Sequence, residues 1–366
     1  MKKLNVVIVG AGHMGQLRAL SASRHGSCRV VHVVDSDPAR ASALAEQVGA
    51  GWGTDWEEAV EIAEADAVAV CTPHKFLSQV AQAALHHRKH VFCEKPMART
   101  LKEGEGIREA LRRQAGTTGE PKVVVGFTLR HHPAVARAHR LVQEGAIGQP
   151  FYIRAAYGHG GRPGYDQEWR MDPELGGGGE LLDQGVHLID LSRWFLGDFS
   201  EVTGSIGTYY WTGSAATDPA VKSHFRASSA IAAEDNAFLL LRTEIGQTAS
   251  LHASWTQWKN TFQFEIFGRA GSLAVNGLGG SYGPEMLVET HRNPQGGVPE
   301  VVTTPFEDTA HVWDHEWQAF VAAVFPDAPA GAEFSQPANL ADGCEVLRIA
   351  QQVYDEARKR VAPQCV

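Results

Sequence analysis

Short valine-rich runs alternating with longer amphipathic ones over the first 127 residues constrain this chain more than any other feature. The apolar runs are Asn5–Val9, Val30–Val34, Ala67–Cys71, Val91–Cys93 and Val123–Phe127. Each is bounded by Gly, Asp, Pro or Lys, as strands covered on both faces of a parallel sheet are. Between them the spacing predicts helices over His13–His25, Pro38–Val48, Trp56–Ala63, Phe76–His87 and Leu101–Gln114. The second of these has Asp37 as N-cap, Pro38 at its first position and Gly49 at its end. Such alternation builds a doubly wound α/β domain, whose ligand crevice lies beyond the carboxyl ends of the strands.

At that place the chain reads Gly10-Ala11-Gly12-His13-Met14-Gly15. Glycine lets the chain turn sharply off a strand, brings backbone N–H groups up to a pyrophosphate and packs helix against sheet. The motif follows a strand, opens a helix and precedes Asp35, at the end of the second strand, by about 20 residues. Gly10, Gly12, His13, Met14, Gly15 and Asp35 are therefore candidate dinucleotide-binding residues. A carboxylate at Asp35 suits an unmodified ribose, whereas a 2′-phosphate meets a like charge. Two unit charges ~4 Å apart at an effective dielectric of ~20 repel by about 4 kcal/mol. NAD is thus expected over NADP, although Arg40 could turn back to hold a phosphate. Thr72, Pro73 and His74 leave the end of the third apolar run, and Glu94 and Lys95 leave the fourth. Both sets join the candidate cofactor residues.

A second signal stands near the middle of the chain. Gly176-Gly177-Gly178-Gly179 leads into Glu180-Leu181-Leu182-Asp183-Gln184-Gly185-Val186-His187-Leu188-Ile189-Asp190. Leu182, Val186 and Ile189 form a helical apolar stripe. Asp183 and His187, at i and i+4, project from one face. A carboxylate beside an imidazole favours its charged form and fixes its orientation. A purely structural Asp–His pair is the plainer alternative; a zinc site is a poor one, because two ligands lack a nearby third.

Composition narrows the function classes. The chain has 366 residues, enough for about two domains. Its net charge of −9 offers no basic surface for nucleic acid or anionic lipid. Five scattered cysteines with no C-x-x-C pair argue against disulfides and thiolate metal sites, so no metal is expected. No apolar run approaches a membrane span or a secretory h-region, which points to the cytoplasm.

These pieces resemble the Gfo/Idh/MocA family of nicotinamide-dependent oxidoreductases. The carrying residues are Gly10 to Gly15, Asp35, Glu94-Lys95-Pro96, and the glycine-rich loop with Asp183 and His187. The resemblance implies an N-terminal Rossmann domain (1–127) and a C-terminal α/β domain (128–366) built on a large, mostly antiparallel, open-faced sheet. The C-terminal helix can pack back on the first domain. The resemblance also implies a sugar, sugar-nucleotide or cyclitol substrate, Lys95, Asp183 and His187 as catalytic residues, and a homo-oligomer (dimer or tetramer) formed through the open sheet face. One departure is that members often place a His a few residues after Thr-Pro, where this chain has Leu77.

The remaining sequence fits such a domain. Phe151–Tyr157, Val202–Tyr210, Ala237–Thr243, Ala249–Trp255, Thr261–Phe267 and Ser272–Val275 read as strands. Helices are expected over Pro133–Glu144, Val312–Val324 and Gln336–Arg360, and surface loops over Ala115–Pro121 and Ser214–Ala220. His159, Arg162, Tyr165 and Trp169 lie in a glycine-rich stretch suited to stacking and hydrogen bonding a polyhydroxylated ligand. Arg130, just past the last Rossmann strand, is a further substrate candidate. The expected reaction is hydride transfer between NAD and a secondary alcohol in the interdomain cleft. His187 is general base, Asp183 orients it and Lys95 stabilises the reacting oxygen, though Lys95 and His187 could exchange roles. A glycosidase using transient oxidation, a non-catalytic NAD-binding sugar sensor, and a reductase working in the opposite direction remain the rival readings.

Overall fold

The computed structural model describes residues 3–116, 119–212, 233–307, 309–326 and 336–361. It divides into two compact units, Met1–His131 with His311–Leu347, and His132–Ala310 with Arg348–Val366.

The first unit opens with the expected alternation: β1 (Leu4–Val9), α1 (His13–Arg24), β2 (Cys28–Val34), α2 (Pro38–Val48), β3 (Gly51–Gly53), α3 (Trp56–Val60), β4 (Ala67–Val70), α4 (His74–His86), β5 (His90–Glu94), α5 (Leu101–Arg112) and β6 (Val123–Gly126). These strands pair in parallel in the order β6-β5-β4-β1-β2-β3. Consecutive residues Val6, Val7 and Ile8 are all buried, because helices cover both faces. Several boundaries differ from expectation; α3, for one, ends at Val60 rather than Ala63. β3 is Gly-Trp-Gly, with no apolar run of its own, and exists through its pairing with β2. α4 begins at His74 rather than Phe76, because Pro73 occupies the N-cap in extended conformation.

The second unit contains α6 (Pro133–Gln143), β7 (Pro150–Gly158), α7 (Pro173–Gly176), α8 (Val186–Leu196), β8 (Phe199–Gly207), β9 (Asn236–Thr243), β10 (Thr248–Ser254), β11 (Thr261–Gly268), β12 (Gly271–Asn276), β13 (Glu285–His291) and β14 (Glu300–Phe306). Among the described residues eight strands form one sheet, β14-β13-β12-β11-β7-β10-β9-β8. Every pairing is antiparallel except that of β10 with β7. α8 packs on β7 and β10. The outward face keeps the alternation of a half-covered sheet: in β9, Leu239 and Leu241 are buried while Phe238 and Leu240 are 42% and 53% exposed. The sequence reading did not anticipate β13 and β14; β14 is largely exposed and is held by its ladder to β13. The predicted loop Ser214–Ala220 lies outside the described residues, as do positions 117–118 of Ala115–Pro121.

After β14 the chain rejoins the first unit through α9 (Val312–Val324), β15 (Ala338–Asn339) and the start of α10 (Leu340–Val361). Trp317 and Phe320 of α9 pack on Phe92, with ring centroids 5.6 Å away in each case. β15 adds an antiparallel strand to β6. α10 starts at Leu340 rather than Gln336 because Asn339 caps it, its Oδ1 accepting from Ala341 N–H at 2.8 Å and Asp342 N–H at 3.2 Å.

At the heart of this unit lies a fully buried guanidinium. Arg18 of α1 donates from Nε to Glu94 Oε1 at 2.7 Å, and from Nη2 to Thr128 Oγ1 at 3.2 Å. Its Nη2 also pairs with Glu316 Oε2 at 2.7 Å. Its flat face lies 4.3 Å from the centroid of Phe92. One guanidinium balances one of two buried carboxylates. Burial, with a contribution from the Glu94 charge, pushes the Glu316 carboxyl up to about 7, against the pull of Arg18. Replacing Arg18 with Met leaves two buried carboxyls without their cation and is expected to cost about 3–5 kcal/mol in denaturant unfolding. A loss under about 1 kcal/mol would contradict this account. Between its ordinary 4.5 and about 7, folded Glu316 keeps a proton that the unfolded chain releases. This contribution to stability is therefore full at low pH and is lost as pH rises through about 7. Glu316→Gln, with no proton to lose, is expected to flatten that part of the curve of urea midpoint against pH.

Candidate active site

The glycine turn follows directly from β1. Gly10 has φ +99°, and a Cβ there would stand 2.6 Å from the Cys71 carbonyl oxygen. A Cβ on Gly15 would stand 1.7 Å from the Gly10 carbonyl oxygen, so α1 can enter this close to the strand only with glycine there. Gly12 is the N-cap and provides no side-chain cap, and no acidic side chain occupies the first turn. The N–H groups at this end, beside exposed His13 and half-buried Met14, lack intrahelical acceptors and can receive an anion. Asp35 is fixed beside them, accepting from Ala11 N–H at 2.7 Å and Asp37 N–H at 2.9 Å. Arg40 is drawn to Asp37, at 3.3 Å. Thr72, just past β4, has a buried hydroxyl with no hydrogen-bond partner. Pro73 caps α4 and His74 is buried in its first turn. A glycine cradle, a fixed carboxylate and an orphaned hydroxyl at the carboxyl edge of one sheet fit a dinucleotide.

Lys95 is half-buried just beyond β5. The Glu94 side chain before it turns inward to Arg18. Arg130 is buried in a 3₁₀ turn, Thr128–His131, with Nη1 3.4 Å from Asp342. Leu77, at the departure noted in the sequence, is fully buried in α4.

In the second unit Asp183 and His187 do not share one regular α-helix. Leu181–Gly185 forms a π turn and α8 begins at Val186, so the predicted i, i+4 helical register is corrected to a widened turn running into a helix. Both side chains are buried. Arg170 Nε lies 3.3 Å from Asp183 Oδ1, and its Nη1 lies 3.5 Å from Glu168. Arg162 pairs with the same Glu168. Tyr157 sets its ring edge toward His187, with centroids 6.1 Å apart, and lies 5.5 Å from the Tyr282 ring. Tyr282 accepts from Gln184 Nε2 at 3.1 Å. Tyr165 packs between Trp211 and Trp255, with His159 at its edge. Trp169 lies under Arg170. Burial first, and then the Tyr282 phenol and the Asp183 and Glu180 carboxylates, push the Tyr157 phenol well above its usual range. Burial and the same two carboxylates do likewise at Tyr165. Both phenols remain protonated donors beside the carboxylates.

The second unit thus gathers His159, Arg162, Tyr165, Trp169, Asp183 and His187, and adds Arg170, Tyr157, Gln184 and Tyr282. Arg170 carried a weak local signal beside Trp169. Tyr282, almost a hundred positions from its partner Gln184, carried none, because it sits in the turn between β12 and β13 and meets the π turn only through tertiary packing. Among the described residues no group of three His, Cys, Asp or Glu side chains could hold a metal ion.

A glycine-turn dinucleotide fold followed by a broad antiparallel sheet defines a two-domain nicotinamide oxidoreductase. Residues 4–119 match the oxidoreductase family with an NAD-binding Rossmann fold, and residues 135–274 match the Gfo/Idh/MocA C-terminal domain. The chain belongs to the Gfo/Idh/MocA family. It is 28% identical to a levoglucosan dehydrogenase of Pseudarthrobacter phenanthrenivorans over 75% of this chain and 74% of that one. It is 32% identical to an inositol 2-dehydrogenase of Saccharopolyspora erythraea over 66% and 64%. A solved levoglucosan dehydrogenase in complex with NADH shares the fold, with TM-score 0.81 at 23% identity and 98% of each chain covered.

The tightness of the glycine turn sets an expectation. Gly15→Ala must push α1 away from Gly10 and is expected to weaken NAD binding at least about tenfold, which is about 1.4 kcal/mol, in a fluorescence titration. Unchanged affinity would show that helix and strand need not approach this closely.

Proposed function

We propose that this oxidoreductase interconverts a secondary alcohol and a ketone on an uncharged sugar, sugar derivative or cyclitol, with NAD rather than NADP. The observation that carries the reading is a fixed Asp35 beside the glycine turn in a chain that also holds the Asp183–His187 turn. Gly10, Gly12, His13, Met14 and Gly15 hold the pyrophosphate through backbone N–H groups, and Asp35 accepts from the ribose hydroxyls. Thr72, Pro73, His74, Glu94 and Lys95 complete the cofactor site at the ends of β4 and β5. Bound NAD supplies the hydride acceptor.

His187 receives the hydroxyl proton, a role suited to an imidazole near neutral pH. Asp183 orients that imidazole, and Lys95 hydrogen-bonds the reacting oxygen and stabilises its developing charge. His159, Arg162, Tyr165 and Trp169 bind the remaining hydroxyls and the apolar face of the ring. The relatives named for levoglucosan and inositol support a sugar or cyclitol. Arg162 and Arg170 are both drawn to carboxylates, which supports a neutral substrate over an anionic one. A second copy of the chain covers the outward sheet face where Phe238 and Leu240 stand exposed. The protein works in the cytoplasm, as its scattered cysteines suggest. Among the described residues no helix is long and apolar enough to cross a membrane.

The test is a screen of inositols and neutral sugars with NAD and with NADP, followed by absorbance of the reduced cofactor. Lys95→Ala and His187→Ala are each expected to lower kcat at least about a hundredfold while NAD still binds. Near-normal turnover in either variant removes that residue from the catalytic set.

A further inference from the structure

The glycine-rich loop before the π turn is shaped by two side chains distant in sequence. A Cβ on Gly178 would stand 2.1 Å from the Tyr354 hydroxyl, and one on Gly179 would stand 2.0 Å from the Glu234 carbonyl oxygen. Glu234, buried just before β9, accepts from Gly179 N–H at 2.9 Å through Oε2. Its Oε1 accepts from Leu181 N–H at 3.1 Å and from the Tyr354 hydroxyl, on α10, at 2.6 Å. Its carbonyl accepts from Glu180 N–H at 2.9 Å. The π turn has no side-chain cap from Glu180, its own N-cap residue, so these bonds serve in place of one. The fixed Gly179 carbonyl then accepts from Asp183 N–H at 3.1 Å. Hydrogen bonds therefore run from Tyr354 through Glu234 and Gly179 to the backbone of Asp183.

We infer that Glu234 and Tyr354 are positioning residues: by clamping the entrance of the π turn they set where Asp183 and His187 stand. The inference rests on the reading of Asp183 and His187 as catalytic groups given above. All three partners of the Glu234 carboxylate are donors, so the position needs a pure acceptor. A glutamine there turns its NH2 group against one of them, although its size is the same. A Phe at 354 removes the hydroxyl and keeps the buried ring. Neither residue is assigned contact with substrate or cofactor, so their effect on turnover must pass through the turn. Misplacing a reacting group by about 1 Å costs about a hundredfold in rate.

Glu234→Gln, Tyr354→Phe and His187→Ala are compared in the full-length enzyme with NAD and a neutral polyol substrate found in the screen, with kcat expressed per NAD-binding site. Glu234→Gln is expected to lower kcat about tenfold to a hundredfold, with the dissociation constant of NAD held within about twofold. Its acidic kcat limb is expected to move to lower pH, because a carboxylate moved away from an imidazole no longer favours the protonated ring. Tyr354→Phe is expected to move the same two readouts in the same direction by a smaller factor. If His187→Ala loses turnover while both variants keep wild-type kcat and pH limb, the positioning role is overturned and the catalytic reading stands. If His187→Ala itself turns over normally, the catalytic reading falls. Should Glu234→Gln fail to fold, Tyr354→Phe decides: wild-type kcat and pH limb overturn the inference, and a shift in both supports it.

Discussion

The first unit depends on a charge placed where water cannot reach it. Arg18 projects from the helix that opens the glycine turn and is held by Glu94, which immediately precedes Lys95, and by Glu316 of α9. A lone guanidinium in this core would be severely destabilising, so Arg18 requires its carboxylates and they require it. The cluster ties three segments far apart in sequence to one point: the helix that follows the glycine turn, the end of β5, and a helix that returns after the whole second sheet has been built. The rings of Phe92 and Trp313 lie over the guanidinium, and such apolar surroundings keep the local dielectric low. Stability and site geometry in this unit therefore share the same atoms.

The second unit solves a comparable problem with hydrogen bonds. Its wide sheet has one face packed by α8 and one face outward, and the turn that carries Asp183 is not a regular helix but a π turn. A widened turn leaves backbone donors at its entrance, and the buried Glu234 carboxylate, just before β9, supplies the acceptors. The glycines of the loop are there because the backbone must pass within contact of Glu234 and Tyr354. Fold-level kinship with a levoglucosan dehydrogenase places the architecture and does not by itself fix a substrate.

Much of this was legible beforehand where the physics is local. The glycine turn, Asp35 and the parallel strands declared themselves because steric demands on a sharp turn, and burial on both faces of a strand, act on neighbouring residues. Asp37 was read as an N-cap and does accept from Ala39 N–H. The reading was weaker where structure comes from pairing. β3 and β14 have too little apolar pattern of their own and exist as rungs beside β2 and β13. The regular helix expected through Asp183 and His187 became a π turn, whose entrance is hydrogen-bonded to Glu234 from a distant part of the chain. Glu94 was noticed for its place beside Lys95, yet its carboxylate is engaged by Arg18, a residue that carried no signal inside an unremarkable helix.

The sequence alone determined the two architectures and the glycine turn with Asp35 beyond it, since each follows from residue type and short-range spacing. The tertiary structure alone decided the ion-pair partner of Glu94, the phenol that neighbours His187, and the hydrogen bonds that hold the entrance of the π turn. Those partners lie from 30 to 120 positions apart in the chain, and chain spacing carries no record of which distant side chains the packing will bring within hydrogen-bond reach.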